Sequence, residues 1–244
     1  MNALALRATL KSTGAKAAES QLAIIGDELG DNQLALVVAD LSPGEIGLFL
    51  ENADYTKPSL VTAFVSPEQL IGALERVGAK WGDLKGSSAN ALISLKQEVS
   101  DLLFPVLLQG EPAQRSKLLK SILKNSLMED LIVSLPLFEH GCPEFLADFE
   151  ANHIQHGTWQ ELFADIHALD EPSFNRLRNE ILSLFPKAEG EGEGNDDEES
   201  DPAENRKAVQ QLQRTLQALA NRAAKLVEAS PVDAADEDPF ERVS

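Results

Sequence analysis

The chain has few of the features that mark secreted scaffolds and membrane proteins. One cysteine among 244 residues cannot form an internal disulfide, which excludes a small disulfide-rich secreted domain. There is no run of apolar residues long enough to span a bilayer, and residues 1–14 mix polar and basic side chains into an apolar segment. We therefore expect a cytoplasmic protein with neither a membrane span nor a signal peptide.

Basic residues are also scarce, since 21 lysines and arginines stand against 40 acids and the net charge is −19. A field of this sign repels phosphate backbones and anionic lipid, so we expect no direct binding to nucleic acid or to a membrane. The exception is the stretch from Asn205 to Val227, which holds five basic residues and no acid. The hydrophobic content of 43% is sufficient for a sizeable core.

Two acidic segments divide the chain. Glu189 to Asp201 holds eight acids in thirteen residues and almost nothing apolar, so burial cannot offset the entropy of ordering it. We interpret residues 187–203 as a flexible acidic linker and residues 230–244 as an acidic disordered tail. The other parts are an α or α+β N-terminal subdomain (1–85), a helical subdomain (86–186) and an isolated amphipathic helix (204–229).

Helical periodicity dominates residues 86–186. From Ala89 to Leu108 apolar residues recur at steps of three and four, as on one face of a helix that kinks or ends near Pro105. A second apolar stripe begins after Pro112 and continues to Leu131 before Pro136 stops it. Shorter helices are predicted at residues 144–152, 158–168 and 172–184.

The N-terminal part leaves two structures open for residues 33–65. In one, Ser42-Pro43-Gly44-Glu45 and Ser66-Pro67-Glu68-Gln69 are capping boxes that begin two similar helices. In the other, residues 34–41, 45–52 and 59–65 are strands of a small β element. The apolar run at 34–41 fits a buried strand as well as a buried helix, so periodicity does not decide between them.

The short helices with Ser-Pro starts over residues 41–77 resemble the helical cytosolic domains of magnesium transporters and of flagellar-switch proteins. This resemblance covers fewer than forty residues and rests on capping chemistry alone. It implies no function for the chain.

The helix at residues 204–229 carries the most distinctive pattern. Its apolar residues follow spacings of 3, 4, 3, 4 and 3, which is a coiled-coil a/d seam of nearly three heptads, and apolar e positions widen it to an a/d/e face. The seam consists of Val209, Leu212, Leu216, Leu219, Ala223 and Leu226. Such a helix cannot bury this face alone, so it packs on the body, on a copy of the chain or on another protein.

Metal-ligating residue types cluster between residues 140 and 167, which hold all four histidines and the cysteine. Neutral imidazole and thiolate are preferred zinc ligands, so His140, Cys142, His153 and His156 could close a tetrahedral site. Their spacing matches no short zinc motif, and Cys142 in its apolar surroundings also fits a buried core position. We expect no cofactor, with a structural zinc ion on these four side chains as the alternative.

Motifs of nucleophilic or nucleotide chemistry are absent, because the sequence contains no G-x-S-x-G, no phosphate-binding loop and no G-x-G-x-x-G. We therefore expect no enzymatic activity. Lys117, Lys120 and Lys124 follow an i, i+3, i+7 pattern and form a basic strip on a predicted helix. Because aromatic residues do not interleave with them, the strip is typical of a solvated face, or of one docked against an acidic neighbour.

These patterns predict a mainly α protein that acts as a non-enzymatic interaction or assembly subunit. The leucines of the 204–229 helix would enter a groove of another protein or of a second copy, while Arg214 and Arg222 orient the helix on an acidic surface. Deletion of this helix should then leave the body folded and abolish the complex. The alternatives are a metal-binding protein or metalloenzyme that uses the histidine cluster, and an acidic regulator in which residues 189–201 mimic nucleic acid.

Overall fold

A computed structural model describes residues 3–51, 60–78, 84–108, 112–185 and 205–229. Within these ranges the chain forms twelve α-helices, one 3₁₀ turn at Phe149–Ala151, and no strand. The helices are α1 Ala3–Ser12, α2 Ala15–Leu29, α3 Asp31–Ala39, α4 Pro43–Glu51, α5 Pro67–Gly78, α6 Ala89–Leu107, α7 Pro112–Ile122, α8 Ser126–Ser134, α9 Cys142–Ala147, α10 Trp159–Leu169, α11 Glu171–Leu184 and α12 Arg206–Ala229. The prediction of a mainly α, multi-helix body is confirmed. The predicted linker and tail lie outside the described residues.

Both Ser-Pro motifs begin helices by reciprocal capping. The Ser42 amide donates to the Glu45 carboxylate at 2.8 Å, and the Glu45 amide donates to the Ser42 hydroxyl at 3.3 Å. Ser66 and Gln69 exchange the same two bonds at 3.0 and 3.2 Å. These bonds satisfy amides that the first turn of a helix leaves without partners, so the capping-box interpretation is confirmed.

Residues 34–39 of the apolar run at 34–41 belong to α3, and no residue of the run is in a strand. Its buried members are Leu34, Val37, Val38 and Leu41, which follow the i, i+3, i+4, i+7 spacing of one helical face. The side-chain amide of Gln69 donates to the carbonyls of both Val38 and Leu41 at 2.8 Å and so satisfies the end of α3. The alternative β element is therefore not formed in the described part of residues 33–65.

A helix that crosses a membrane must be both long and apolar. Among the described residues no single helix is long and apolar enough to cross a membrane. The one combination that passes on length and composition, Asp31–Ala39 with Pro43–Leu50, is bent by 114°.

The second half of the body follows most of the predicted helices. The helix predicted at residues 144–152 is instead α9 followed by the 3₁₀ turn. Helix α6 contains Pro105 and ends at Leu107. The stripe that was predicted as one helix from Pro112 to Leu131 is divided between α7 and α8. The break is at Asn125, whose side-chain oxygen accepts a hydrogen bond from the Met128 amide at 3.2 Å and begins a new helix.

One lysine lies inside the helical core. Lys96 on α6 is 3% exposed. Its ammonium group donates to the carbonyls of Leu135 and Leu137 at 3.1 and 3.0 Å and to the Glu139 carboxylate at 2.5 Å. These bonds hold the turn after α8, where Phe138 has a φ of 68°, a left-handed conformation that is uncommon for a side chain of its size.

Candidate interaction surface

Helix α12 packs against α5, α6 and α8 of its own chain. Leu212, Leu216 and Leu219 are each at most 1% exposed. The side chain of Asn205 begins the helix by accepting a hydrogen bond from the Ala208 amide at 3.2 Å. Of the three surfaces that the sequence left open for this apolar face, the body of the same chain covers it in this structure.

The face that α12 buries extends beyond the predicted a/d/e face. Ala208 and Thr215, both at g positions, are 0% and 1% exposed, while of the e positions Ala220 is 7% exposed and Gln213 is half-buried. Helix α12 approaches α5 closely at Gly78. A Cβ atom on Gly78 would lie 2.9 Å from Cγ of Leu219, so only glycine fits there without a shift.

The other predicted partner-binding residues differ in their exposure and contacts. Val209 is partly buried against the core and Arg214 is exposed. Arg222 pairs with Glu75 of α5, with 2.8 Å between the guanidinium Nε and a carboxylate oxygen. The side chain of Leu226 lies outside the described residues. Partner binding by α12 stays a prediction, and its leucines are covered while the helix is docked.

The structure does not bring the predicted metal ligands together. His140 and His153 are exposed, and the side chain of His156 is 87% exposed. Cys142 is buried, and His167 packs against two phenylalanine rings. In the ranges that the structure describes, no group of three or more histidine, cysteine or acidic side chains is placed to hold a metal ion.

Cys142 behaves as a core residue. It is 0% exposed, and burial, assisted by the nearby Glu144 and Glu139, raises the pKa of its thiol to about 12. Because the thiolate is the reactive and metal-binding form, we expect iodoacetamide to leave the native protein unlabelled at pH 8 and to label it fully in urea, as measured by intact mass. Native labelling at the rate of a free thiol would show that Cys142 is accessible.

Four large apolar side chains are exposed, and within the described ranges all four lie on α1, α2 and α3. Leu4 is 71% exposed, Ile24 45%, Leu29 51% and Leu36 63%. Single exposed leucines are normal in soluble proteins, whereas contiguous exposed apolar patches are typical of interaction sites. We name these four residues the N-terminal apolar surface.

The helices that carry this surface are fixed to one another. α1 packs on α2 and α2 on α3. Gly30 joins α2 to α3 with a φ of 81°, a left-handed conformation that favours glycine. On the inner side α2 buries Ala18, Leu22 and Ile25, so Ile24 and Leu29 are presented by a helix anchored in the core.

An ion pair anchors α1 to α4. The guanidinium Nε of Arg7 lies 3.1 Å from a carboxylate oxygen of Glu45. Burial raises the pKa of Glu45, but the hydrogen bonds from Ser42 and Arg7 outweigh it and hold the pKa below its usual value. The carboxylate therefore stays charged at neutral pH and keeps α1 in place.

Carboxylates surround one end of the N-terminal apolar surface. Asp27, Glu28 and Asp31 are all exposed and lie within two residues of Leu29. An apolar side chain among acids is complementary to an apolar pocket with a basic rim.

The hydrophobic pattern of the sequence did not single out these exposed residues, although it held one signal of them. Once residues 34–41 are taken as a helix, Leu34, Val37 and Val38 define the inner face, and Leu36 falls outside it. A helix that is apolar on more than one side must have a second partner or remain exposed.

In comparisons with known proteins, no family model, no curated protein and no solved structure matches the chain.

Proposed function

We propose that the protein is a non-enzymatic interaction or assembly subunit that binds a partner protein through the N-terminal apolar surface. The observation that carries the proposal is the concentration of Leu4, Ile24, Leu29 and Leu36, exposed on three consecutive helices that are packed together. Burial of a leucine side chain contributes about 1.5–3 kcal/mol, so a few such anchors are enough for specific binding.

The partner has an apolar groove with a basic rim. Asp27, Glu28 and Asp31 flank Leu29, and lysines or arginines opposite them would add attraction and speed association. A second copy of the chain is a poorer occupant, because it would bring the same acids and a net charge of −19 to the interface. In this proposal α12 seals the body and the partner binds elsewhere.

Substitution of two anchors tests the proposal. The variant L29S/L36S is expected to lose most of the partner in affinity purification from cells that express the protein. The two leucines are 51% and 63% exposed, so their burial contributes about 1.5–3 kcal/mol together, roughly ten- to a hundredfold in affinity. Quantitative mass spectrometry of the co-purifying proteins measures the loss. The wild-type complex should also weaken as salt rises, because the acids around Leu29 contribute.

The matched control is A147S/A168S, which also adds two hydroxyl groups at exposed helical positions, but on α9 and α10. It should keep the partner at the wild-type ratio, and both variants should unfold at the wild-type urea midpoint. A stoichiometric partner that L29S/L36S retains would contradict the proposal.

The two alternative functions have no comparable support. The metal hypothesis needs convergent ligands, which the described histidines and Cys142 do not supply. The acidic-mimic hypothesis rests on residues 189–201, which lie outside the described ranges.

A further inference from the structure

A cleft of about 280 Å³ opens between the segment that precedes α5 and helix α7. Phe64, Val106 and Leu118 give it an apolar lining, and Lys117 stands at its edge. Small-molecule sites in proteins commonly have volumes of about 300–1,000 Å³. The cleft lies at the lower end of that range and has room for one large apolar side chain of a peptide.

Basic side chains lie on the helix that forms one wall of the cleft, and Lys117 is part of its lining. Lys117, Lys120 and Lys124 are all exposed on or just after α7. None of the three forms an ion pair with another residue of the described ranges, whereas Arg115 on the same helix pairs with Glu161 at 3.2 Å. An acidic peptide could therefore approach three ammonium groups without displacing an existing partner.

Helix α12 leads toward this cleft. Leu219 contacts Gly78 and Arg222 pairs with Glu75, so the two helices run antiparallel. If this antiparallel course continues to Ala229, about 10 Å beyond Arg222 along the axis, α12 ends at the level of the start of α5. Pro67, the first residue of α5, lines the cleft.

The chain that follows α12 has matching chemistry. Residues 230–244 contain five acids and one arginine, and their only aromatic residue is Phe240. Asp236, Glu237 and Asp238 precede it closely. Phe240 is the eleventh residue after Ala229, and an extended chain of that length spans at most about 36 Å. This length is enough to bring Phe240 into the cleft from the level of Pro67, which is itself part of the lining.

We propose that residues 230–244 occupy this cleft in their own chain, with Phe240 on the apolar lining and the neighbouring carboxylates on Lys117, Lys120 and Lys124. The tether keeps the segment at a high effective concentration near the cleft, so weak contacts are enough to fill it. This intramolecular contact is independent of the function proposed for α1–α3.

A competition experiment on the full chain tests the proposal. A fluorescein-labelled synthetic peptide of residues 230–244 is titrated into the wild-type protein and into the F240A variant, with anisotropy as the readout. We expect the peptide to bind F240A at least tenfold more tightly, because the segment of the chain no longer competes well. Adding K117Q and K120Q to F240A should reduce that binding about tenfold, and V243A, an apolar truncation in the same segment, should behave as wild type.

Hydrogen exchange gives a second readout on the same proteins. Amides of residues 60–66 should exchange faster in F240A than in the wild type. Equal peptide affinity for both chains would overturn the proposal and leave the cleft to an external acidic peptide. Absence of binding together with unchanged exchange would overturn it as well, as would dimerisation that depends on Phe240 in analytical ultracentrifugation, since a second copy would then supply the segment.

Discussion

Replacement of Leu216 by alanine is expected to lower the free energy of unfolding by about 2–5 kcal/mol. Leu216 is 1% exposed in the face that α12 packs on α5, α6 and α8. The truncation removes buried apolar surface and leaves a cavity that rigid helices cannot fully close. Urea denaturation at neutral pH, followed by circular dichroism, measures the change.

Gln210→Ala is the matched control, because Gln210 is exposed on the same helix. Its effect should stay within about 0.5 kcal/mol. Deletion of residues 205–229 should destabilise the body more than L216A does, since it uncovers the whole apolar groove. A deletion variant as stable as the wild type would restore the sequence-based expectation of a body that folds without α12.

Replacement of Lys96 by methionine is expected to cost about 3 kcal/mol. Methionine keeps much of the apolar stem but leaves the buried carbonyls of Leu135 and Leu137 without their donor. It also removes the partner of Glu139, whose side chain is 40% exposed and regains water, so the carbonyls account for most of the loss. The same urea denaturation measures this change.

Lys207→Met makes the same chemical change at an exposed position of α12 and should be nearly neutral. If K96M unfolded at the wild-type midpoint, the turn after α8 would not depend on the ammonium group. Nothing in the sequence distinguishes Lys96 from the surface lysines. Its role becomes visible only when the turn after α8 is placed beside α6.

Local chemistry made most of the helices predictable. The two Ser-Pro motifs place a hydroxyl, a proline and a carboxyl or amide group at the spacing that caps a first turn, and both capping boxes form. The break at Asn125 was missed because the apolar stripe continues across it. A side-chain cap interrupted the helix without a change in hydrophobic pattern.

Tertiary contacts decided what local patterns left open. Residues 34–39 are helical because α3 buries one face, and Gln69 of α5 satisfies the carbonyls of Val38 and Leu41. These two bonds join residues 31 and 28 positions apart. The apolar face of α12 is likewise buried by α5, α6 and α8, and the sequence of α12 alone does not specify these neighbours. Periodicity predicts that a face is buried, but it does not name the surface that buries it.

The histidine cluster shows that residues close in sequence need not be close in space. Proximity in sequence placed His140, Cys142, His153 and His156 within one stretch, but the helices there point Cys142 into the core and leave the histidines exposed. The candidate surface on α1–α3 was missed for the converse reason. Its apolar residues look like core until the helices show which side faces solvent.

Crosslinking in the cells that express the protein, followed by mass spectrometry, tests the location of the interface most directly. Lys11 and Lys16 are exposed on α1 and α2, beside the proposed partner, whereas Lys207 is exposed on α12. If α1–α3 carry the interface, crosslinks to the partner protein will involve Lys11 and Lys16. Crosslinks to the partner at Lys207, with none at Lys11 or Lys16, would contradict an interface on α1–α3.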